Sequence, residues 1–241
     1  MYRNIKTGSE ELVKMEDMAR IIEVLKPADI EKRSFEIISE ELKNTGVLIN
    51  GDITVTDSEE NSRIMSVIKR CIHTTADFDY ARTMYFSERA IDVLEDLIRA
   101  GATIVTDTNM ALSGINRREL SKYGCNAVCF MSDEAVAKEA AERELTRAHV
   151  SMEHAMKIEG DVIFALGNAP TALITLREQF DRGNYKPAFI VGVPVGFVNV
   201  TASKEMIRET GIPCILNMGR KGGSNVAAAI INAVLYGMYK N

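Results

Sequence analysis

Five short apolar runs in the second half of the chain, separated by helix-forming stretches, restrict its fold more than any other feature. They are Thr103–Thr106, Ala127–Met131, Val162–Leu166, Ala188–Val191 and Cys214–Met218. Each is four or five residues long and largely apolar. A strand without a polar side has to be covered above and below, as in parallel sheets whose crossover connections are helices. The expected fold class is α/β: a doubly wound, mainly parallel sheet with helices on both faces and an N-terminal helical extension. No internal repeat, low-complexity tract or Pro/Gly-rich linker divides the 241 residues, so one domain over residues 1–241 is expected.

Ahead of the strands the periodicity is helical. Residues 9–25 place Leu12, Met15, Met18, Ile21, Ile22 and Leu25 on one side, and Pro27 ends the pattern. A second helix starts near Ala28-Asp29 and runs through Phe35, Ile37, Ile38 and Leu42 to the stop signal Asn44-Thr45-Gly46. Residues 46–56 read as a hairpin around Asn50-Gly51. Ser87 to Ala100 gives an amphipathic helix with Ile91, Leu94, Leu97 and Ile98, stopped at Gly101.

Between these lies the stretch most suggestive of chemistry. Asp57-Ser-Glu-Glu60 has the form of a capping box, so a helix begins near Ser58. Ile64, Val67, Ile68, Cys71 and Ile72 then build one apolar face. His73 closes the run, followed by the poor helix continuers Thr74, Thr75, Ala76 and Asp77, and so sits in or just past the last turn. The partial negative charge of a helix C-terminus suits a proton donor there, and Asp77 or Asp79 would add to it if near. On this stretch alone, a packed histidine with a satisfied ring is the commoner outcome.

The overall charge of −5, with no long basic block, argues against a general nucleic-acid partner but leaves room for a local basic pocket. Cys71, Cys125, Cys129 and Cys214 are spread through apolar segments and read as buried thiols. The Cys125-x-x-x-Cys129 spacing, without a second pair or a nearby His, gives no metal site. His149 and His154, five apart, read as surface or capping residues. No run reaches the ~18 apolar residues of a membrane span and no signal-peptide pattern opens the chain, so a soluble cytoplasmic protein with no membrane partner is expected.

In a doubly wound sheet, ligands bind beyond the carboxyl ends of the strands. Four of those ends carry glycine and small polar residues: Asp107–Gly114, Gly167-Asn-Ala-Pro-Thr171, Gly192-Val-Pro-Val-Gly-Phe197 and Gly219-Arg-Lys-Gly-Gly-Ser224. Such segments let backbone approach a ligand closely and offer N–H groups to an anion. Each also has a structural explanation. Asn168 and Pro170 make a sound helix start, and Gly219–Ser224 serves equally as a strand-to-helix turn, since the spacing of a phosphate loop is absent.

Taken together, Arg33-Ser34-Phe35, Ile72-His73-x-Thr75-x-Asp77-Phe78, Asp107-Thr108-x-Met110, Thr146-Arg147, Gly167–Leu173, Gly192–Val198, Ser203-Lys-Glu205 and Gly219–Ser224 resemble the precorrin-8X methylmutase family, including its cobalt-precorrin-8 members. The resemblance covers roughly residues 28 to 240. It implies an isomerase of corrin (cobalamin) biosynthesis that moves a methyl group from C-11 to C-12, giving hydrogenobyrinate or, with cobalt in the ring, cobyrinate. No methyl donor and no cofactor are implied, and a homodimer is. By carry-over, His73 is the acid that protonates or hydrogen-bonds a ring nitrogen. Arg33, Arg147, Arg220 and Lys221 are then candidates to pair with the acetate and propionate arms of the corrinoid substrate. Ser34, Thr108, Asn168 and Ser224 would add neutral hydrogen bonds, and Gly196-Phe197 would pack on the flat ring.

Two departures from the family pattern stand out. Thr74-Thr-Ala-Asp77 replaces the more usual Ala-Thr-Gly-Asp, and Asn199-Val-Thr-Ala-Ser-Lys204 replaces Gly-Ala-Ala-Glu-Ser-Lys, so a glutamate is missing at Ala202. Two other classes stay open: a non-catalytic tetrapyrrole-binding carrier, and a phosphate- or nucleotide-binding α/β enzyme using Gly219–Ser224.

Overall fold

A computed structural model describes residues 23, 25–50, 52–53 and 59–239. The helix expected over 9–25 and the Asp57-Ser58 half of the capping box fall outside the described residues, apart from 23 and 25. The chain divides into two compact units, residues 1–37 and 38–241. In the first, Pro27 opens helix α1 (Pro27–Thr45), as its fixed φ allows at a first helical position. Where α1 continues into the second unit it buries Ile38 and Leu42. It stops at Gly46, whose φ of +74° is the left-handed conformation glycine adopts without penalty.

All of the sheet belongs to the second unit. A hairpin, β1 (Leu48–Ile49) and β2 (Asp52–Ile53), turns at Asn50 with φ +55°. Helix α2 (Glu59–Thr75) follows, burying the expected stripe Ile64, Val67, Ile68, Cys71 and Ile72. Next come the short α3 (Tyr80–Thr83), β3 (Met84–Phe86), α4 (Ala90–Arg99), β4 (Thr103–Thr106), α5 (Asn109–Gly114), α6 (Arg117–Ser121) and β5 (Asn126–Val128). The remainder is α7 (Glu134–Glu142), α8 (Arg147–Ala155), β6 (Val162–Leu166), α9 (Pro170–Asp181), β7 (Phe189–Gly192), α10 (Val200–Arg208), β8 (Cys214–Asn217) and α11 (Ser224–Gly237).

The six-stranded sheet has the order β3-β8-β7-β6-β4-β5, parallel throughout except for β3, which pairs antiparallel with β8. Alternation along each strand feeds two cores. Ile163 and Ala165 of β6 face the layer that contains α2, α4 and α11, while Val162, Phe164 and Leu166 face α8, α9 and α10. Helices therefore cover both faces, as the unrelieved apolar strands require.

One strand was not expected, and two boundaries differ from expectation by more than a residue. Met84–Phe86 gave no strand signal: it is three residues long and pairs with one neighbour, and its outer edge is closed by Asn50, whose side chain donates to Phe86 O (2.8 Å) and accepts from Phe86 N (2.9 Å). β5 ends at Val128 rather than Met131, because its only partner β4 ends at Thr106. The helix read from Ser87 begins at Ala90, since Ser87 Oγ accepts the N–H of Cys214 at 2.8 Å and so belongs to the sheet margin.

After β4 the chain crosses to β5 on one side, and β6 then returns on the other. The topological switch point therefore falls between β4 and β6, whose carboxyl ends mark the position at which doubly wound sheets bind ligands.

Candidate active site

His73 lies in the last turn of α2 and is solvent-exposed, while the residues just before it, Cys71 and Ile72, are wholly buried. The imidazole is thus carried out of the core on a helix packed against α11. Past it, Ala76 turns the chain with φ +53°, and its N–H donates to Ile72 O at 2.7 Å. Asp77 and Asp79 follow, but their carboxylates are engaged elsewhere. Lys221 Nζ sits between them, at 2.5 Å from Asp77 and 2.6 Å from Asp79. The hydrogen bond from Lys221 holds the Asp77 carboxyl below the usual range, and the same two partners hold the Lys221 ammonium above its own. Both carboxylates thus share the Lys221 ammonium at the turn that follows His73. What the clasp does is tie the β8–α11 loop to the turn after the histidine helix.

At the switch point sits a group that sequence reasoning did not select. Asp107, wholly buried just past β4, accepts N–H bonds from Gly167 (2.9 Å), Asn168 (2.7 Å) and Ala169 (2.6 Å), the turn after β6. Burial pushes its carboxyl up, and those three bonds oppose the shift. Asp107 replaces the local cap expected of Asn168: the N-cap of α9 is Ala169, with no side-chain bond of its own, Pro170 follows at the first turn, and Asn168 is left exposed. Next to Asp107, Thr108 caps α5 by accepting from Ala111 N at 3.0 Å, and its hydroxyl lies 2.7 Å from that of Ser224 at the start of α11. Two residues expected at the site from distant segments are therefore in direct contact.

The β8–α11 loop completes this edge. Gly222 passes so close to β7's exit that a β-carbon on it would stand 2.0 Å from the Val193 carbonyl oxygen, so glycine is the residue that fits. Gly223 N–H, which a phosphate cradle would turn outward, donates to Val193 O at 2.9 Å. Arg220 is exposed and its guanidinium lies over the Phe197 ring, 5.4 Å from the centroid, a cation–π arrangement. Gly196, with φ +145°, donates to Arg220 O at 3.1 Å, which brings the β7 and β8 exits together. Phe197 is 81 % exposed and Val198 79 %, a concentration of apolar surface at the ligand end of the sheet.

The other expected residues are placed less tellingly. Within unit 1–37, Arg33 Nε is 3.0 Å from Glu23 and its Nη1 3.6 Å from Glu36, and Ser34 Oγ bonds back to Ile30 O at 3.0 Å. Arg147 is exposed at the first turn of α8, which Thr146 caps through His149 N at 3.2 Å. His149 lies 3.2 Å from Glu153 and 2.9 Å from Thr175, and His154 lies 2.8 Å from Glu139. Among the described residues no group of His, Cys, Asp or Glu gathers to hold a metal ion, and no helix is long and apolar enough to cross a membrane. All four cysteines are free thiols, and Cys129 alone is half-buried rather than buried.

Lys204 was quoted as part of a motif but not singled out for a role. It is wholly buried on α10, on the inward stripe with Val200, Ser203 and Ile207. A lysine between Val200 and Ile207, on the inward stripe of the helix, was the signal available. Asn217, also buried, links the end of β8 to Thr83 at 2.6 Å and to Lys221 O at 2.9 Å.

Residues 29–237 match the family model described as precorrin-8X methylmutase. The chain is 42 % identical over 214 residues to the cobalt-precorrin-8 methylmutase of Salmonella typhimurium, covering 88 % of this chain and 96 % of that one. It is 41 % identical over 215 residues to the protein of the same name from Leptospira interrogans, covering 86 % and 92 %. The crystal structure of precorrin-8x methyl mutase from Thermus thermophilus aligns with a TM-score of 0.74 at 33 % identity, over 87 % of this chain and 95 % of that one. The chain belongs to the precorrin-8X methylmutase family.

Proposed function

We propose that the protein moves a methyl group from C-11 to C-12 of precorrin-8X or cobalt-precorrin-8, yielding hydrogenobyrinate or cobyrinate, with His73 as the acid. The observation that carries this reading is the exposed imidazole on a helix whose inner face is buried, and whose end is clasped to the loop at the ligand edge of the sheet. A proton delivered to a ring nitrogen draws electron density from the neighbouring carbons and eases an internal alkyl shift. The shift is intramolecular, so no outside methyl donor or reductant enters the balance. General acid catalysis of this kind supplies ~10²- to 10⁴-fold, and holding the macrocycle in one pose supplies the rest.

Arg220 and Arg147 are the exposed guanidinium groups for ring carboxylates, and Thr108, Ser224 and Asn168 supply neutral hydrogen bonds. Phe197 offers a flat face to the ring. In this reading the exposed apolar residues after β7 are covered by substrate and by a second subunit, the protein being a cytoplasmic homodimer. Free thiols suit that reducing compartment. Since the relatives from Salmonella and Leptospira are named for the cobalt form, cobalt-precorrin-8 is the first substrate to assay.

The test is turnover by wild type and His73→Ala. The variant should lose ~10²-fold or more in kcat with KM little changed. Binding without isomerisation by wild type would instead mark a carrier, and a His73→Ala rate equal to wild type would remove the histidine from the mechanism.

A further inference from the structure

The loop that carries Arg220 and Lys221 is held from beneath by a buried amine. Lys204 Nζ donates to the carbonyl oxygens of Gly219 at 2.8 Å and Lys221 at 2.9 Å. The Lys221 carbonyl also takes Asn217 Nδ2 at 2.9 Å, and Asn217 Oδ1 accepts from Thr83 at 2.6 Å. A methionine of similar length would fill the same space without the cost of desolvating an amine, so packing alone does not account for this lysine. Two acceptors match the two hydrogens of a neutral amine. Burial pushes Lys204 down to about 7, so above that pH the amine is neutral and keeps both bonds with no third proton left unpartnered.

Holding the carbonyls of residues 219 and 221 inward leaves the side chains between them to point out. Arg220 lies over Phe197, and Lys221 reaches Asp77 and Asp79 beyond the histidine helix. We propose that Lys204 is a positioning residue for substrate binding, acting through the Gly219–Lys221 backbone to aim Arg220 at an anionic arm of the ligand and to keep the loop clasped to the His73 turn. The ligand's identity rests on the corrinoid reading above; the control of the loop does not.

The experiment compares full-length wild type, Lys204→Met and Lys204→Gln by amide hydrogen exchange and by steady-state kinetics with cobalt-precorrin-8. In Lys204→Met, exchange across residues 219–224 should quicken at least ~10-fold while β6 amides keep their rates. KM should rise ~10-fold or more with kcat held within about 3-fold. Lys204→Gln keeps N–H donors on a neutral side chain and should recover part of both effects. Unchanged exchange at 219–224 in the methionine variant overturns the proposal whatever the activity, and so does a fall in kcat at constant KM. If that variant does not fold, the glutamine variant decides: faster loop exchange with raised KM supports the role, and wild-type values in both overturn it. A wild type inert on corrinoids would defeat the functional reading alone, because the exchange comparison still judges Lys204.

Discussion

Ala76→Gly should stabilise this protein, against the usual sign of an alanine-to-glycine change. Ala76 ends α2 in the left-handed conformation, φ +53°, its N–H bonded to Ile72 O at 2.7 Å. Left-handed backbone costs a residue with a β-carbon ~1–2 kcal/mol. Glycine avoids that cost but brings a freer unfolded chain, which returns ~0.4–1 kcal/mol of the gain. The position is exposed, so the methyl forfeits little packing. The net expectation is a gain of ~0.5–1 kcal/mol, or a rise in Tm of ~1–4 °C for a chain of this size. With no tryptophan in the sequence, the measurement is urea unfolding by far-UV circular dichroism, where the midpoint should rise at constant m. Ala137→Gly, inside α7, is the control and should lose ~0.5–1 kcal/mol. Equal losses in both variants would refute the strained-stop argument.

Two further perturbations bear on the ligand edge. Asp107→Asn leaves one oxygen for three N–H donors and turns an NH2 group toward at least one of them. At ~1.5–3 kcal/mol per bond to a charged acceptor, partly offset by relief of the buried charge, the loss should be ~2–4 kcal/mol; a loss under ~1 kcal/mol would mean the turn after β6 holds itself. Lys204 predicts a pH dependence: its folded form releases a proton at about 7 against an ordinary 10.5, so between those values the unfolded chain binds the extra proton. The Lys204 contribution to stability, read as the difference between wild type and Lys204→Met, should therefore rise from pH 7 to pH 10, by up to roughly 4–5 kcal/mol, and stay flat below. The buried Cys71 and Cys214 thiols act in the opposite sense near pH 10 in both proteins. Lys204→Met should remove that rise, and an identical profile in both proteins would contradict the burial argument.

The parts of the fold that were legible in the sequence are those governed by neighbours along the chain. An apolar run such as Val162–Leu166 carries its own requirement for cover on two faces, and it became one of the two central strands, with matching limits. The stripe from Ile64 to Ile72 likewise fixed the face of α2 and left His73 at its end. Thr108 and Ser224 lie in strand exits that composition picked out, the family resemblance singled them out within those exits, and the topology brought the exits together. Met84–Phe86 escaped because a three-residue edge strand is defined by its partner rather than by its pattern.

Long-range polar pairing was the illegible part, and it reassigns several residues. Nothing local to Lys221 announces that Asp77 and Asp79, 144 and 142 residues earlier, take its charge. Nor does Asp107 announce donors about 60 residues on. The departures from the family pattern gain meaning only from backbone geometry. Ala76 and Asn199, each standing where the pattern that the sequence resembles has glycine, both adopt positive φ, +53° and +60°. Asparagine tolerates that region far better than alanine does, so the burden of the substitution falls on Ala76. The glutamate absent at Ala202 would project from an exposed position on α10, whereas Lys204 two residues later is satisfied by backbone carbonyls. Its absence therefore removes a surface charge and leaves the buried support of the Arg220 loop intact.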